Sequence, residues 1–411
     1  MTIQLDELQT FVVGVIALFL GKWIRQSIPL LRRIDMPNAV VGAMAVALLV
    51  LFLQLAADFD VRFASLTKDA LLLIFFTSIG LSAKLAALKS GGKPLIIVCA
   101  VTVLALVAQN FSGAVLATLW GTHPAYGVLA GSLSFVGGPG TAMAWAKELE
   151  TQGLPGAQVV AVGASTLAVI SGALVSGPVT GWIVRRHKLQ GTSGPPSDIP
   201  FVPPTALESS PKSEKSQIDS LLATVPVLAL AVLIGERLNM WARDLGLLLP
   251  GFLSAMLAGV AITNLADATS YKLDFAPVER CGAVALQLFL VMALMSTPLI
   301  SVATILGPLA LNVALQVAVT VAVAYFLLFR LLGKDYDAAV TCGGFLGFGL
   351  SSMPVAMATM DEVGQRYGPS PKAFLLITLA GSFFVDLANA IVAKAFLALP
   401  YFRIAGAVLA N

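Results

Sequence analysis

One aspartate in the last long apolar stretch has the surroundings of an ion ligand. Asp386 lies in SFFVDLANAIV, 14 residues after Lys372, which corresponds to about 21 Å along a helix. A carboxylate that deep in a bilayer costs several kcal/mol unless it has a partner. Ser382 and Asn389 share its helical face. These oxygens would form half of a cage for sodium, so Asp386 and Asn389 are candidate sodium ligands.

Two other interpretations of this stripe stay open at this stage. The carboxylate would equally suit a proton relay, or it could be the structural partner of a buried cation. Other polar side chains lie deep in apolar stretches, and interhelical hydrogen bonding is the better interpretation for them. They are Gln109, Asn110, Asn312 and Gln316.

Two glycine-rich segments interrupt the apolar sequence and could also do chemistry. They are SFVGGPGTAMAW, from Ser134, and CGGFLGFGLSSMPVAMATM, from Cys342. Irregular backbone at membrane depth is tolerated only where protein or water surrounds it. Glycine permits positive φ, and proline removes a donor that would need a partner. Freed amides at a helix N-terminus suit a carboxylate, and freed carbonyls suit sodium. Close helix packing is the alternative, but two such segments in corresponding places favour a binding site.

The elements that position these residues are membrane-spanning helices. The chain has 411 residues, of which 58% are hydrophobic and 11% charged, whereas a soluble domain has about 25% charged residues. Apolar runs long enough to cross a bilayer recur along the chain. They predict ten spans, at about 5–24, 38–57, 69–83, 94–119, 157–184, 219–237, 245–264, 281–299, 303–329 and 373–397. The glycine-rich pieces, about 126–147 and 338–360, are left over.

The distribution of basic residues predicts the topology. If the amino terminus is outside and neither leftover piece crosses the membrane, most of the 25 Lys and Arg fall on the cytoplasmic side. Both pieces are therefore expected to be re-entrant hairpins, with both chain termini periplasmic. The stretch 189–217 is rich in Pro and Ser and is expected to be a flexible cytoplasmic linker. It separates two five-helix repeats, 1–188 and 218–411, which enter the membrane from opposite sides. Inverted repeats with broken elements are typical of secondary transporters.

Several of these segments resemble a known family. FFTSIGL, LAGSLSFVGGPGTAMAWAK, GKDYDAAV, GFGLSSMPVAMATM and GSFFVDLANA occur in the order and spacing of the bacterial sodium:glutamate symporter family. The resemblance runs nearly from end to end. It implies an all-α inner-membrane protein of two inverted five-helix repeats with paired re-entrant hairpins, assembled as a homodimer. It also implies uptake of glutamate driven by sodium through alternating access.

Both glycine-rich segments depart from the family pattern. Pro139 stands where the family commonly has histidine in GGHGT, and the familiar HCGFGLGATPT is FLGFGLSSMPV here. Another small carboxylate, such as a dicarboxylate, is therefore an alternative substrate. A passive channel is the alternative from a different class of protein.

The sequence thus predicts a sodium-coupled glutamate transporter that is not an enzyme. No nucleophile elbow, phosphate loop or metal-ligand spacing is present, and neither a cofactor nor a nucleic acid partner is expected. The expected partners are glutamate, sodium and membrane lipid. The candidate substrate-binding residues are Gly137, Gly138, Gly140, Thr141, Gly347, Gly349, Ser351 and Ser352, and the candidate sodium ligands are Asp386 and Asn389.

Overall fold

The computed structural model describes a predominantly helical protein. It covers residues 2–28, 38–57, 60–83, 92–191, 214–244, 250–268, 275–296 and 305–404. Within these ranges, eight helices are long and apolar enough to cross a membrane. The chain divides into two compact units. The first comprises 1–68, 91–191 and 287–411, and the second comprises 69–90 and 192–286. Each unit therefore draws on both halves of the sequence.

The amino-terminal part of the first unit is held by a short strand pair that the sequence did not predict. Strand β1 (Thr2–Gln4) pairs in parallel with β2 (Asp60–Arg62). Helices α1 (Glu7–Ser27) and α2 (Asn38–Ala57) lie between them in sequence, and α3 (Leu66–Leu81) follows. α1 and α2 pack so closely that a Cβ on Gly42 would collide with the α1 backbone. Small residues at such contacts are typical of membrane helix pairs.

The first glycine-rich segment forms a helix that breaks and restarts. Helix α4 (Gly92–Leu119) leads into α5 (Pro124–Val128), which continues as a π-helical turn, Leu129–Leu133. Gly131 leaves helical geometry, with φ −95° and ψ −126°. A new helix, α6 (Gly138–Thr151), begins after the break and is followed by α7 (Ala157–Arg186). Gly113 of α4 and Gly127 of α5 lie backbone to backbone, so the first arm of the segment packs tightly on α4.

The second unit is built from α3 and the next three helices. They are α8 (Glu214–Asp244), α9 (Gly251–Ala268) and the first part of α10 (Phe275–Met295). Gly80 of α3 lies against the backbone of Met256 on α9, and a Cβ on Gly282 would strike the hydroxyl of Ser78. Ser78 and Gly80 therefore serve helix packing inside this unit.

The second glycine-rich segment has the same helix–break–helix form. Helix α11 (Leu306–Ala322) continues through a π-helical turn, Val323–Leu328, and is followed by α12 (Tyr336–Leu350) and α13 (Met353–Tyr367). A Cβ on Gly347 would strike Ala356, and one on Gly344 would strike Met360. Residues nearer the start of α12 therefore face residues nearer the end of α13, and the two helices run antiparallel.

The last span is interrupted as well. Helix α14 (Pro371–Leu379) passes through a π-helical turn, Ala380–Phe384, into α15 (Val385–Ala398). A short 3-10 turn, Pro400–Phe402, follows α15.

Eight of the ten predicted spans coincide with the long apolar helices. The third is the 16-residue α3, and the tenth is the interrupted pair α14–α15. The spans predicted at 245–264 and 281–299 were shifted by several residues at both ends, since the helices are Gly251–Ala268 and Phe275–Met295. The helix Glu214–Asp244 also extends beyond the predicted span 219–237 at both ends. Helix α8 starts at Glu214, within the stretch 189–217 that is predicted to be a linker. Residues 192–213 of the predicted linker lie outside the described residues.

Candidate functional site

The two helix breaks lie side by side in the first unit. Gly138 has a φ of +67°, and a Cβ built on it would be 3.6 Å from the carbonyl oxygen of Ser351. Ser351 is fully buried and also lies against Gly172 of α7. Two segments more than two hundred positions apart in sequence thus meet at one point.

Three helix ends converge at this meeting point. Helix α6 begins at Gly138, α12 ends at Leu350, and α13 begins at Met353. Neither helix start is capped by a side chain, and each has a proline in its first turn, Pro139 and Pro354. The exposed amides and the dipole at a helix start favour a negatively charged group. The hydroxyl oxygen of Ser351 is buried without a hydrogen-bond partner among the described residues. The two helix starts and the Ser351 hydroxyl can therefore donate to an anion, while the end of α12 and the Ser351 carbonyl oxygen place acceptors beside them.

Amide side chains from α4 and α11 hold the broken backbone in place. Gln109 of α4 donates from Nε2 to the carbonyl oxygen of Gly349 in the second segment, at 2.9 Å. Asn312 of α11 donates from Nδ2 to the carbonyl oxygen of Ala130 in the first segment, at 2.6 Å. α4 precedes the first segment and α11 precedes the second, so each helix supports the segment of the other half.

The helices that follow the two segments repeat this crossed pattern. Asn389 of α15 is fully buried, and both polar atoms of its side chain hydrogen-bond to Ser132 of the first segment. The Ser132 hydroxyl donates to Asn389 Oδ1 at 2.6 Å, and Asn389 Nδ2 donates to the Ser132 carbonyl oxygen at 3.2 Å. Correspondingly, Ser176 of α7 shares a 2.8 Å hydrogen bond with Thr359 of α13. The interhelical hydrogen bonding predicted for the deep amides of α4 and α11 is confirmed.

The predicted glycines have different roles in this geometry. The expected positive φ is found at Gly138, whereas the expectation was wrong for its neighbours Gly137 (φ −74°) and Gly140, which lies inside α6. Gly347 and Gly349 are helical, and Gly347 lets α13 approach α12. The second break falls after these glycines, at Ser351 and Ser352.

The two predicted sodium ligands have different surroundings. Asn389 is engaged with Ser132, while Asp386 is half-buried on α15. Within the described part of the chain, no group hydrogen-bonds to the Asp386 carboxylate. The side chain of Ser382 lies outside the described residues. No group of three or more His, Cys, Asp and Glu among the described residues could hold a metal ion, so a cation here would need other oxygen ligands.

Two residues of the site were missed from the sequence. Gly131 opens the first break three residues before the stretch that begins at Ser134, and Ser132 joins Asn110 and Asn389. The Gly-Ser pair inside an apolar run was a visible sign, because glycine weakens a helix and serine competes for backbone hydrogen bonds.

Comparison with known proteins identifies the family of the chain. A family model described as Sodium/glutamate symporter matches residues 3–369. The chain is 34% identical over 396 residues to a sodium/glutamate symporter of Haemophilus influenzae, covering 96% of this chain and 98% of that protein. It is 35% identical over 401 residues to one of Escherichia coli, covering 97% and 99%. A solved sodium proton antiporter from Methanocaldococcus jannaschii aligns over 95% of this chain and 97% of that one, with 14% identity and a TM-score of 0.40, too low to support an argument.

The hydrogen bonds of Asn389 predict a specific loss of stability. Asn389→Ala would leave the hydroxyl and the carbonyl oxygen of Ser132 without their partner, so we expect a loss of about 1–3 kcal/mol. Asp386→Asn on the same helix should change stability much less, because no hydrogen bond is removed. Thermal unfolding of both purified variants in one detergent would measure the difference. Equal destabilisation by the two substitutions would contradict the assignment.

Proposed function

Because the chain belongs to the sodium/glutamate symporter family, we propose that it carries glutamate into the cell together with sodium by alternating access. It is then a transporter, not an enzyme, and sodium is its coupling ion. The observation that carries the proposal is the meeting of two uncapped helix starts beside Gly138 and Ser351.

The substrate carboxylates would bind at this junction. Amides at the start of α6 and α13 would donate to them, and the Ser351 hydroxyl, which has no partner among the described groups, would add a further donor. Gly138 suits the junction because its φ of +67° is one that residues with a side chain rarely adopt. The full candidate set is Gly137, Gly138, Gly140, Thr141, Gly347, Gly349, Ser351 and Ser352. Within it, Gly347 and Gly349 would act by shaping α12.

The crossed support of the two segments favours an architecture of inverted repeats. The helix before and the helix after each segment contact the segment of the opposite half, as expected if the halves are related by a two-fold axis in the membrane plane. The antiparallel contact of α12 with α13 fits a re-entrant hairpin. The repeats would be 1–188 and 218–411, with hairpins at about 126–147 and 338–360.

Sodium would bind at Asp386 with Asn389 nearby. The Asp386 carboxylate takes no hydrogen bond from any described group, so its oxygens are available for an ion. A hard cation prefers oxygen donors, and an anionic oxygen offsets the loss of its water. Asn389 would contribute by fixing α15 against the first segment.

The proposal includes a location, an assembly and an orientation. We place the protein in the bacterial inner membrane as a homodimer, with both termini periplasmic. This orientation puts most Lys and Arg on the cytoplasmic side.

Transport itself is tested with protein reconstituted into liposomes. We expect an inward sodium gradient to drive accumulation of labelled glutamate, and Ser351→Ala to raise the glutamate concentration for half-maximal uptake about tenfold or more, because a hydrogen-bonded donor to a charged group is lost. Thr341→Val is the control, since the Thr341 hydroxyl donates to the carbonyl oxygen of Asp337 within α12. Dicarboxylates are assayed in parallel. Sodium-dependent uptake of a dicarboxylate without glutamate uptake would assign the alternative substrate, and gradient-independent flux would indicate a channel.

The role of Asp386 is tested through the ion. In Asp386→Asn, the sodium concentration for half-maximal uptake should rise at least tenfold, while the half-maximal glutamate concentration at saturating sodium stays within about threefold. Asp386→Glu should retain more of the sodium response. An unchanged sodium dependence in Asp386→Asn, in protein matched for folded amount, would remove Asp386 from the ion site.

Orientation is tested by labelling single cysteines. After the native Cys99, Cys281 and Cys342 are replaced, Gln190→Cys should react only with reagents that reach the cytoplasm, and Ser65→Cys with impermeant reagents added outside. Both positions are exposed to solvent. Labelling with the opposite sidedness at either position would overturn the topology.

A further inference from the structure

An apolar groove lies on the surface of the first unit, between α7 and the π-helical turn that follows α11. It has a volume of about 380 Å³ and is lined by Pro178, Val179, Trp182, Val321, Tyr325 and Phe326. The side chains of Trp182 and Phe326 are 45% and 58% exposed. The volume falls within the range of about 300–1,000 Å³ that is usual for ligand sites. An exposed apolar surface of this kind marks a place where lipid or another chain binds.

Contacts between aromatic side chains fix the shape of the groove. The Tyr325 ring contacts the rings of Trp182 and Phe329, with centroid distances of 5.1 Å and 6.1 Å. The Tyr325 hydroxyl also shares a 3.2 Å hydrogen bond with Nε2 of His187, the residue that follows α7. These contacts hold the end of α7 against the π-helical turn, so the groove is preformed.

An arginine lies beyond each wall of the groove, at the same end. Arg186 follows Trp182 by four residues on α7 and therefore lies one helical turn further along the same face. On the other wall, the guanidinium carbon of Arg330 lies 5.7 Å from the centroid of the Phe326 ring. The next residue after Arg186 and the residue before Arg330 contact each other, with 4.9 Å between their ring centroids. Two positive charges thus flank one end of an apolar groove.

These two charges are not neutralised by the described part of the chain. Neither Arg186 nor Arg330 makes an ion pair or a side-chain hydrogen bond with any described residue. The next carboxylates along the chain are those of Asp335 and Asp337, and they are engaged with the start of α12 and with α14. The guanidinium groups therefore remain available to an anion outside the protein.

We propose that this groove binds an anionic phospholipid, with one acyl chain between Trp182 and Phe326 and the phosphate between Arg186 and Arg330. Guanidinium groups bind phosphate oxygens through charge-assisted hydrogen bonds, and basic pockets between membrane helices hold lipid headgroups in this way. Tryptophan and tyrosine concentrate at the depth where headgroup and acyl chain meet. The proposed orientation places this site in the cytoplasmic leaflet.

A lipid at this place would support the helix that borders the candidate substrate site. Gly172 of α7 lies against Ser351, ten residues before Trp182 on the same helix. A lipid that joins α7 to the π-helical turn would therefore stabilise one wall of the junction. The binding itself depends on the groove and its two arginines, and not on which substrate the protein carries.

Lipid binding is measured on purified protein in neutral detergent. Native mass spectrometry counts bound lipid as phosphatidylglycerol or phosphatidylcholine with the same acyl chains is added. The dissociation constant for phosphatidylglycerol should be about tenfold lower or more, because the choline cation of the other lipid opposes the arginines. Arg186→Gln and Arg330→Gln should each raise the phosphatidylglycerol constant about fivefold. Arg185→Gln is the matched control, because it removes the same charge from a side chain that bonds to Tyr367 on α13. Its constant should stay within about twofold of that of the unmodified protein.

A second variant tests the acyl chain. Val179→Phe places a ring in the groove and leaves both arginines, so it should weaken the binding of both lipids severalfold. Unchanged lipid binding in Val179→Phe would show that the groove holds no chain, and a simultaneous change from dimer to monomer would make it a contact between two copies.

The arginine variants decide the question if Val179→Phe does not fold. Equal affinity of the unmodified protein for the two lipids, or an equal loss in Arg185→Gln and Arg186→Gln, would refute the phosphate site. These measurements involve neither glutamate nor sodium, so their outcome is independent of the proposed transport activity.

Discussion

The structure depends on hydrogen-bond partners for the backbone amides and carbonyls that the helix breaks leave unpaired inside an apolar protein. Lipid offers no hydrogen bonds, so each freed carbonyl and amide at a break must find a partner within the protein. The carbonyl of Ala130 is bonded by Asn312, the amide of Ser132 by Asn110, and the carbonyl of Gly349 by Gln109. Buried amide side chains suit this task because each carries both a donor and an acceptor. Without them, these freed backbone groups would lack the partners that lipid cannot supply.

This requirement explains why the two sequence halves are interleaved. A segment is not supported by its own helices alone, because the Ala130 and Gly349 carbonyls are bonded from helices of the other half, while the Ser132 amide is bonded by Asn110 of its own half. Asn389 and Ser132 form such a link, as do Ser176 and Thr359. The first compact unit accordingly contains both segments with the helices that precede and follow them.

Local sequence was sufficient for the long helices and for the existence of the breaks. Hydropathy located the long helices because a membrane-spanning helix is apolar over its whole length. Clusters of glycine and proline marked the places where a helix could not continue. The partners of the breaks were beyond local inference. Asn110 was expected to bond between helices, but nothing near it identified Ser132 as its partner. The strand pair Thr2–Gln4 with Asp60–Arg62 was also missed, since it joins short segments that carry no periodic pattern.

The anchoring bonds have an evolutionary consequence. The side chains of Gln109, Asn110 and Asn312 all hydrogen-bond to main-chain atoms of the two segments. Every residue type has the same backbone carbonyl, and every type except proline has the same backbone amide. Side chains at the junction can therefore be exchanged without loosening the scaffold, provided that the glycine at 138 is kept. The proline at 139 and the serines at 351 and 352, which differ from the common family pattern, are substitutions of this kind. Substrate selectivity can therefore change between related proteins while the backbone architecture stays the same.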